Sequence, residues 1–202
     1  MCFQPFFPSY LDIIQLLGAH AVTIPLNPNH NYQPDYYELE RAITSRTKAI
    51  IVNSPHNPTG SLLTPETYKI FGELVANTPI MIIFDEVYHT LTYNAVTRSA
   101  LSILPDLYEQ GHITVIDSLS KSHALPGLRL GFGVTNSEYI QQIHKIQTHF
   151  FSIPPQPTQE ATKLILNNEE IYRHRREKMK HEFTLRRDLL VKGINDIDNL
   201  HC

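Results

Sequence analysis

Three short apolar runs, each ending in a polar cluster, recur at nearly equal intervals and constrain this chain more than any other feature. Lys48–Val52 leads into Asn53-Ser-Pro-His-Asn57-Pro-Thr-Gly60. Ile80–Phe84 leads into Asp85-Glu86-Val87-Tyr88, and His112–Ile116 into Asp117-Ser118-Leu-Ser120-Lys121. Asn53 and Asp85 stand 32 residues apart, and Asp85 and Ser118 stand 33 apart. One β-α-β unit takes about 30 residues, so the spacing predicts consecutive parallel strands, each followed by a crossover helix.

Two further strands are expected at Ala21–Leu26 and Arg129–Val134. All five runs are short, mostly apolar throughout and not cleanly alternating, the pattern of strands covered on both faces. Helices are expected at Ser9–Leu17 after Pro8, at Pro34–Ile43, and at Pro65–Ala76, where Thr64 can cap and Pro65 takes the first position. Another is expected at Ser137–Phe150, with Ile140, Ile143 and Ile146 at helical spacing. The fold class is therefore α/β: a mostly parallel sheet flanked by helices, with right-handed crossovers.

From about Pro157 the chain becomes helical and dense in charge, as one helix or two broken near Asn167-Asn168. Ile171–Lys192 holds eight of the 17 Lys and Arg residues against Glu177, Glu182 and Asp188. Such a run reads as the solvated face of a long helix, with Met179, Phe183, Leu185, Leu189 and Leu190 as its apolar stripe. Residues 1–156 are accordingly read as one ligand-binding unit and 157–202 as a helical arm.

Composition narrows the partners. A net charge of −3 gives no general electrostatic reason to bind nucleic acid or membrane. The two cysteines, Cys2 and Cys202, sit at opposite ends and offer neither a disulfide framework nor a metal site. No apolar run approaches the ~18 residues of a membrane span, and no basic-then-apolar leader opens the chain. A cytoplasmic location is the expectation.

In open parallel sheets, ligands bind beyond the carboxyl ends of the strands. Asn57, Asp85, Tyr88, Ser118, Ser120 and Lys121 are thus expected in one crevice, with Arg129 nearby. An amine, a carboxylate, a phenol, hydroxyls and a guanidinium suit an anionic, planar, carbonyl-bearing ligand. Ser118-Leu-Ser-Lys121 also spells a serine–lysine nucleophile motif, but its companion S-D-N and K-T-G motifs are missing. His144 and His149, five apart, do not share a helix face as a metal pair would. His56, His89 and His123 read as loop histidines, and Glu86 as a local hydrogen-bond partner. Neither G-x-G-x-x-G nor G-x-x-x-x-G-K-[ST] occurs.

SPHNPTG (54–60), DEVY (85–88) and SLSKSHALPGLRLG (118–131) together resemble the class I/II aminotransferases, which are fold-type I pyridoxal-phosphate enzymes. The resemblance implies roles residue by residue. Lys121 would hold pyridoxal 5'-phosphate as a Schiff base and serve as general base and acid. Asp85 would pair with the ring nitrogen, and Asn57 and Tyr88 with the ring hydroxyl. Ser118, Ser120 and Arg129 would hold the phosphate, Arg129 through a charged fork. Phe7, in PFFPSY, stands where the family places an aromatic on the ring; Phe3, Phe6, Phe7 and Tyr10 also form a cluster that could simply pack.

The resemblance further implies parts not matched in this sequence. These are an upstream small-residue turn for the phosphate, an upstream tyrosine reaching the partner subunit, and a downstream arginine for the substrate carboxylate. Without an upstream strand, one edge or face of the sheet is expected to lie uncovered. The implied activity is transfer of an amino group from an amino acid to a 2-oxo acid, in a homodimer. Two alternatives stay open: a carbon–sulfur β-lyase of the same fold, and a non-catalytic remnant or binding module.

Overall fold

The structure, a computed structural model, describes residues 1–93, 95–150 and 152–201. Its strands are β1 (Cys2–Gln4), β2 (Thr23–Pro25), β3 (Ala49–Asn53), β4 (Met81–Asp85), β5 (Ile113–Ser118) and β6 (Gly131–Val134). Its helices are α1 (Ser9–Leu16), α2 (Tyr36–Ala42), α3 (Pro65–Val75), α4 (Ala100–Ile103), α5 (Pro105–Glu109), α6 (Leu119–Ser122), α7 (Ser137–Phe150), α8 (Gln156–Leu166) and α9 (Glu169–Asn195).

β3, β4 and β5 lie side by side and parallel, in register Asn53 to Asp85 and Asp85 to Ile116. β6 completes the sheet antiparallel to β5, pairing Ser118 with Gly131. The sheet is therefore mixed rather than wholly parallel. β1 and β2 form a separate parallel pair. Met1 joins this pair to the main sheet, its nitrogen donating to the Ala49 carbonyl and its carbonyl accepting from Ile51 N, at 3.0 and 2.9 Å.

The core lies between β3–β5 and the helices that follow them. Ile50, Val52, Ile82, Phe84 and Ile113 point into it from the strands and are fully or almost fully buried. α3 presents Tyr68, Phe71 and Val75, spaced three and four apart, and all are buried. Thr64 caps α3 by accepting from Thr67 N, and Pro65 fills the first position, as the sequence predicts. Phe84 stacks on Tyr68 and meets Phe71 edge-on, with centroids 5.6 and 6.3 Å apart.

Three expectations shift. Arg129 adopts a left-handed backbone, φ +50°, at the end of a 3-10 turn over Pro126–Leu128, so β6 begins only at Gly131. β6 is exposed along its length, and α7 buries none of its residues, so its Ile140, Ile143 and Ile146 stripe exists but lies open. The basic segment breaks into α8 and α9 at Asn167-Asn168, and the expected α9 stripe is not a buried one: Leu189 is 75% exposed. Among the described residues no helix is long and apolar enough to cross a membrane.

Candidate functional site

The site is built where β3, β4 and β5 end. The Asn53 side chain holds the first two ends together: Nδ2 donates to the Asp85 carbonyl at 2.8 Å, and Oδ1 accepts from Asn57 N at 2.7 Å. Ser54 N also donates to the Asp85 carbonyl. Asn53 is buried, so this clasp fixes where Asn57 leaves β3 relative to Asp85. Asn57 Nδ2 then reaches the Tyr88 hydroxyl at 3.4 Å.

Asp85 is held from two directions. Tyr10 OH donates to Oδ2, and Val87 N donates to Oδ1 at 3.3 Å. Burial and the negative charge of Asp85 push the Tyr10 phenol far above its ordinary pKa, so it remains a donor throughout the working pH range. Tyr10 stands on α1 three residues after Phe7, whose ring packs edge-on against it with centroids 5.7 Å apart. Phe7 is 44% exposed, leaving ring surface open.

Lys121 sits on α6, the single helical turn that follows β5, with Nζ 5.6 Å from the centre of the Tyr88 ring. Ser118 caps this turn, its hydroxyl accepting from Ser120 N at 3.3 Å. Ser122 Oγ donates to the Ser118 carbonyl. Lys121 and Tyr88 thus meet, Tyr88 meets Asn57, and Asn53 ties Asn57 to Asp85. Arg129 stands apart from this contact chain: its Nη1 donates to the Pro126 carbonyl at 3.0 Å, and its side chain is exposed. It lines an open groove of about 570 Å³ with Ile143, Ile146 and Ile153. The ladder still places Arg129 two residues before Gly131, the partner of Ser118.

The neighbours of the site differ in burial. Glu86 is 4% exposed, accepts from Ala100 N at 2.7 Å, and has its pKa raised chiefly by burial. It is the local partner the sequence suggested. His56 is buried, with Nδ1 2.7 Å from Thr59 Oγ1, so it is a packed residue rather than a loop histidine. Burial lowers its pKa, keeping it neutral. Burial also pushes Asp117 upward, against the opposing pull of His89 and Ser118 N. Tyr10 and Asn53 are the two residues that sequence reasoning missed as parts of the site. Tyr10 looked like one of several packing aromatics, and Asn53 only opened a polar cluster.

An amine, a carboxylate and a phenol at the carboxyl ends of adjacent strands define an α/β protein with its ligand crevice at that edge. The class I and II aminotransferase family model matches residues 1–202. The chain is 30% identical over 191 residues to the aspartate/prephenate aminotransferase of Thermus thermophilus, covering 95% of this chain and 48% of that protein. It is 30% identical over 193 residues to the aspartate aminotransferase of Pyrococcus abyssi, covering 96% and 49%. The solved Thermus thermophilus aspartate aminotransferase with maleate superposes with a TM-score of 0.91 at 29% identity, over 96% of this chain and 50% of that one. The N-succinyldiaminopimelate aminotransferase of Mycobacterium tuberculosis gives 0.88 at 29%, over 98% and 50%. This chain belongs to the class I and II aminotransferases, and it spans about half the length of the relatives it matches.

Proposed function

We propose that this chain carries the cofactor-binding half of a pyridoxal-phosphate-dependent aminotransferase, which moves an amino group from an amino acid to a 2-oxo acid. The observation that carries the reading is the contact chain from Lys121 through Tyr88 and Asn57 to the clasp on Asp85. The donor set fits the cofactor: an amine for its aldehyde, a phenol and amide for its hydroxyl, and a carboxylate for its ring nitrogen.

When bound, pyridoxal phosphate supplies a conjugated ring that takes up the electrons left on an amino acid's α-carbon. The protein's residues do the rest. Asp85, oriented by Tyr10 and Val87 N, would keep a proton on the ring nitrogen. Tyr88 and Asn57 would orient the ring edge, and Phe7 would cover one face. Ser118 and Ser120, at the start of the turn that carries Lys121, would take the phosphate, with Arg129 swinging from Pro126 to join them. Lys121 Nζ would bind the aldehyde, then carry a proton to and from the substrate carbon.

The working protein is read as a cytoplasmic homodimer, with 1–156 as the cofactor unit and 157–202 as the arm. The boundary is set where α8 begins, at Gln156, after the last strand and α7. The test is to add pyridoxal phosphate, dialyse and record the near-ultraviolet and blue spectrum. A retained band that borohydride removes, with the label mapped to Lys121, is expected; a soluble, folded chain retaining no band overturns the proposal.

A further inference from the structure

His89 and Asp117 stand behind the proposed site and have no part in the reading above. Asp117 lies on β5 one residue before Ser118. Its Oδ1 accepts from Ser118 N at 2.6 Å, and its Oδ2 lies 3.3 Å from His89 Nδ1. The same Nδ1 lies 3.0 Å from the Glu86 carbonyl oxygen. A carbonyl oxygen only accepts, so Nδ1 carries a proton, which it shares between Glu86 O and the Asp117 carboxylate.

The place of this contact matters. The ladder between β4 and β5 ends at the pair Asp85 and Ile116, with Glu86 N donating to the Ile116 carbonyl as the last tie. Beyond it the two strands lead separately to Val87-Tyr88 and to Asp117-Lys121. The His89 ring spans that opening, from the backbone of β4's exit to the side chain of β5's end. Asp117 passes the constraint on to the amide of Ser118, the residue that caps α6.

We propose that His89 and Asp117 are a positioning pair for the cofactor cradle, locking the Ser118 turn to the exit of the Asp85 strand so that phosphate and ring-nitrogen contacts are made together. The proposal rests on the pyridoxal-phosphate reading and deepens it. Neither residue touches the cofactor in this assignment. Their role is to set the distance between groups that would.

The experiment compares the full chain with His89→Ala and His89→Asn. Asparagine can place an amide donor near the position of Nδ1, whereas alanine cannot. Three quantities are read: the Ser118 amide resonance without cofactor, the dissociation constant for pyridoxal phosphate from its absorption band, and the phosphorus resonance of the bound phosphate. His89→Ala is expected to shift the Ser118 amide, weaken cofactor binding roughly tenfold, as the loss of one charge-assisted hydrogen bond does, and move the phosphorus line. His89→Asn should restore all three toward wild type, with binding within about threefold. Equal losses in the two variants, or an unmoved Ser118 amide and phosphorus line in His89→Ala, overturn the positioning role. A wild-type chain that retains no cofactor overturns the underlying reading and the proposal with it. Retained cofactor with His89→Ala equal to wild type overturns the proposal alone.

Discussion

The Tyr10 hydroxyl donates to Oδ2 of Asp85 across 75 residues of sequence, joining the first helix to the end of the second strand of the main sheet. The phenol stays protonated because burial and the adjacent carboxylate both oppose its ionisation. A donor locked beside a partly buried carboxylate fixes its orientation.

Tyr10→Phe removes that donor and leaves the carboxylate its hydrogen bond from Val87 N. The expected cost is about 1.5–3 kcal/mol of folding stability, the range for hydrogen bonds to charged groups. Urea unfolding of the two proteins measures it; a loss well under 0.5 kcal/mol would show the contact to be incidental.

Lys121 lies exposed on a single helical turn. Lys121→Ala should therefore change stability by no more than about 0.5 kcal/mol, yet remove borohydride labelling by pyridoxal phosphate completely. Peptide mass mapping of the labelled wild type identifies the attachment site. Label found on another lysine would displace Lys121 from its assigned role.

Glu86 supplies a pH dependence whose sign follows from its raised folded pKa. The unfolded chain releases this proton near pH 4.5, while the folded chain holds it to higher pH. Stability from this group is present below the unfolded value and declines as pH rises toward the folded one. Glu86→Gln keeps an acceptor for Ala100 N and abolishes the titration. Wild-type unfolding free energy should fall relative to the variant from about pH 4.5 upward, as read from denaturant curves at a series of pH values. Parallel curves would contradict the assignment.

An uncovered β6 edge with Phe132 and Val134 exposed, beside the open Ile140–Ile143–Ile146 stripe, predicts self-association of the isolated chain. Phe132→Lys together with Ile143→Lys should lower the light-scattering mass at a given concentration. Thermal stability should change little, because both residues are substantially exposed. An unchanged mass would place the association surface elsewhere.

Much of this was legible in the sequence, for a local reason. The apolar runs and their polar ends stand close in sequence, so the Thr64-Pro65 cap, the Ser137–Phe150 helix and the three strands could be read directly, with ends at Val52, Phe84 and Ile116 that fall one or two residues short of the observed Asn53, Asp85 and Ser118. Asn57, Tyr88 and Lys121 followed from topology alone, because parallel strands bring their carboxyl ends to one edge. The three-residue β1 was not legible: Cys2–Gln4 is too short for any periodicity.

The tertiary structure decided what depends on pairs far apart in the chain. It selected Tyr10 from four aromatics as the partner of Asp85, made Asn53 a clasp, buried His56, and set His89 between two strand exits. It also turned Arg129 toward Pro126 and left α7 open, although the isoleucines of α7 stand at helical spacing. Periodicity records which residues can share a face. Whether that face is covered, and which hydroxyl reaches which carboxylate, depends on packing between segments that sequence spacing does not encode.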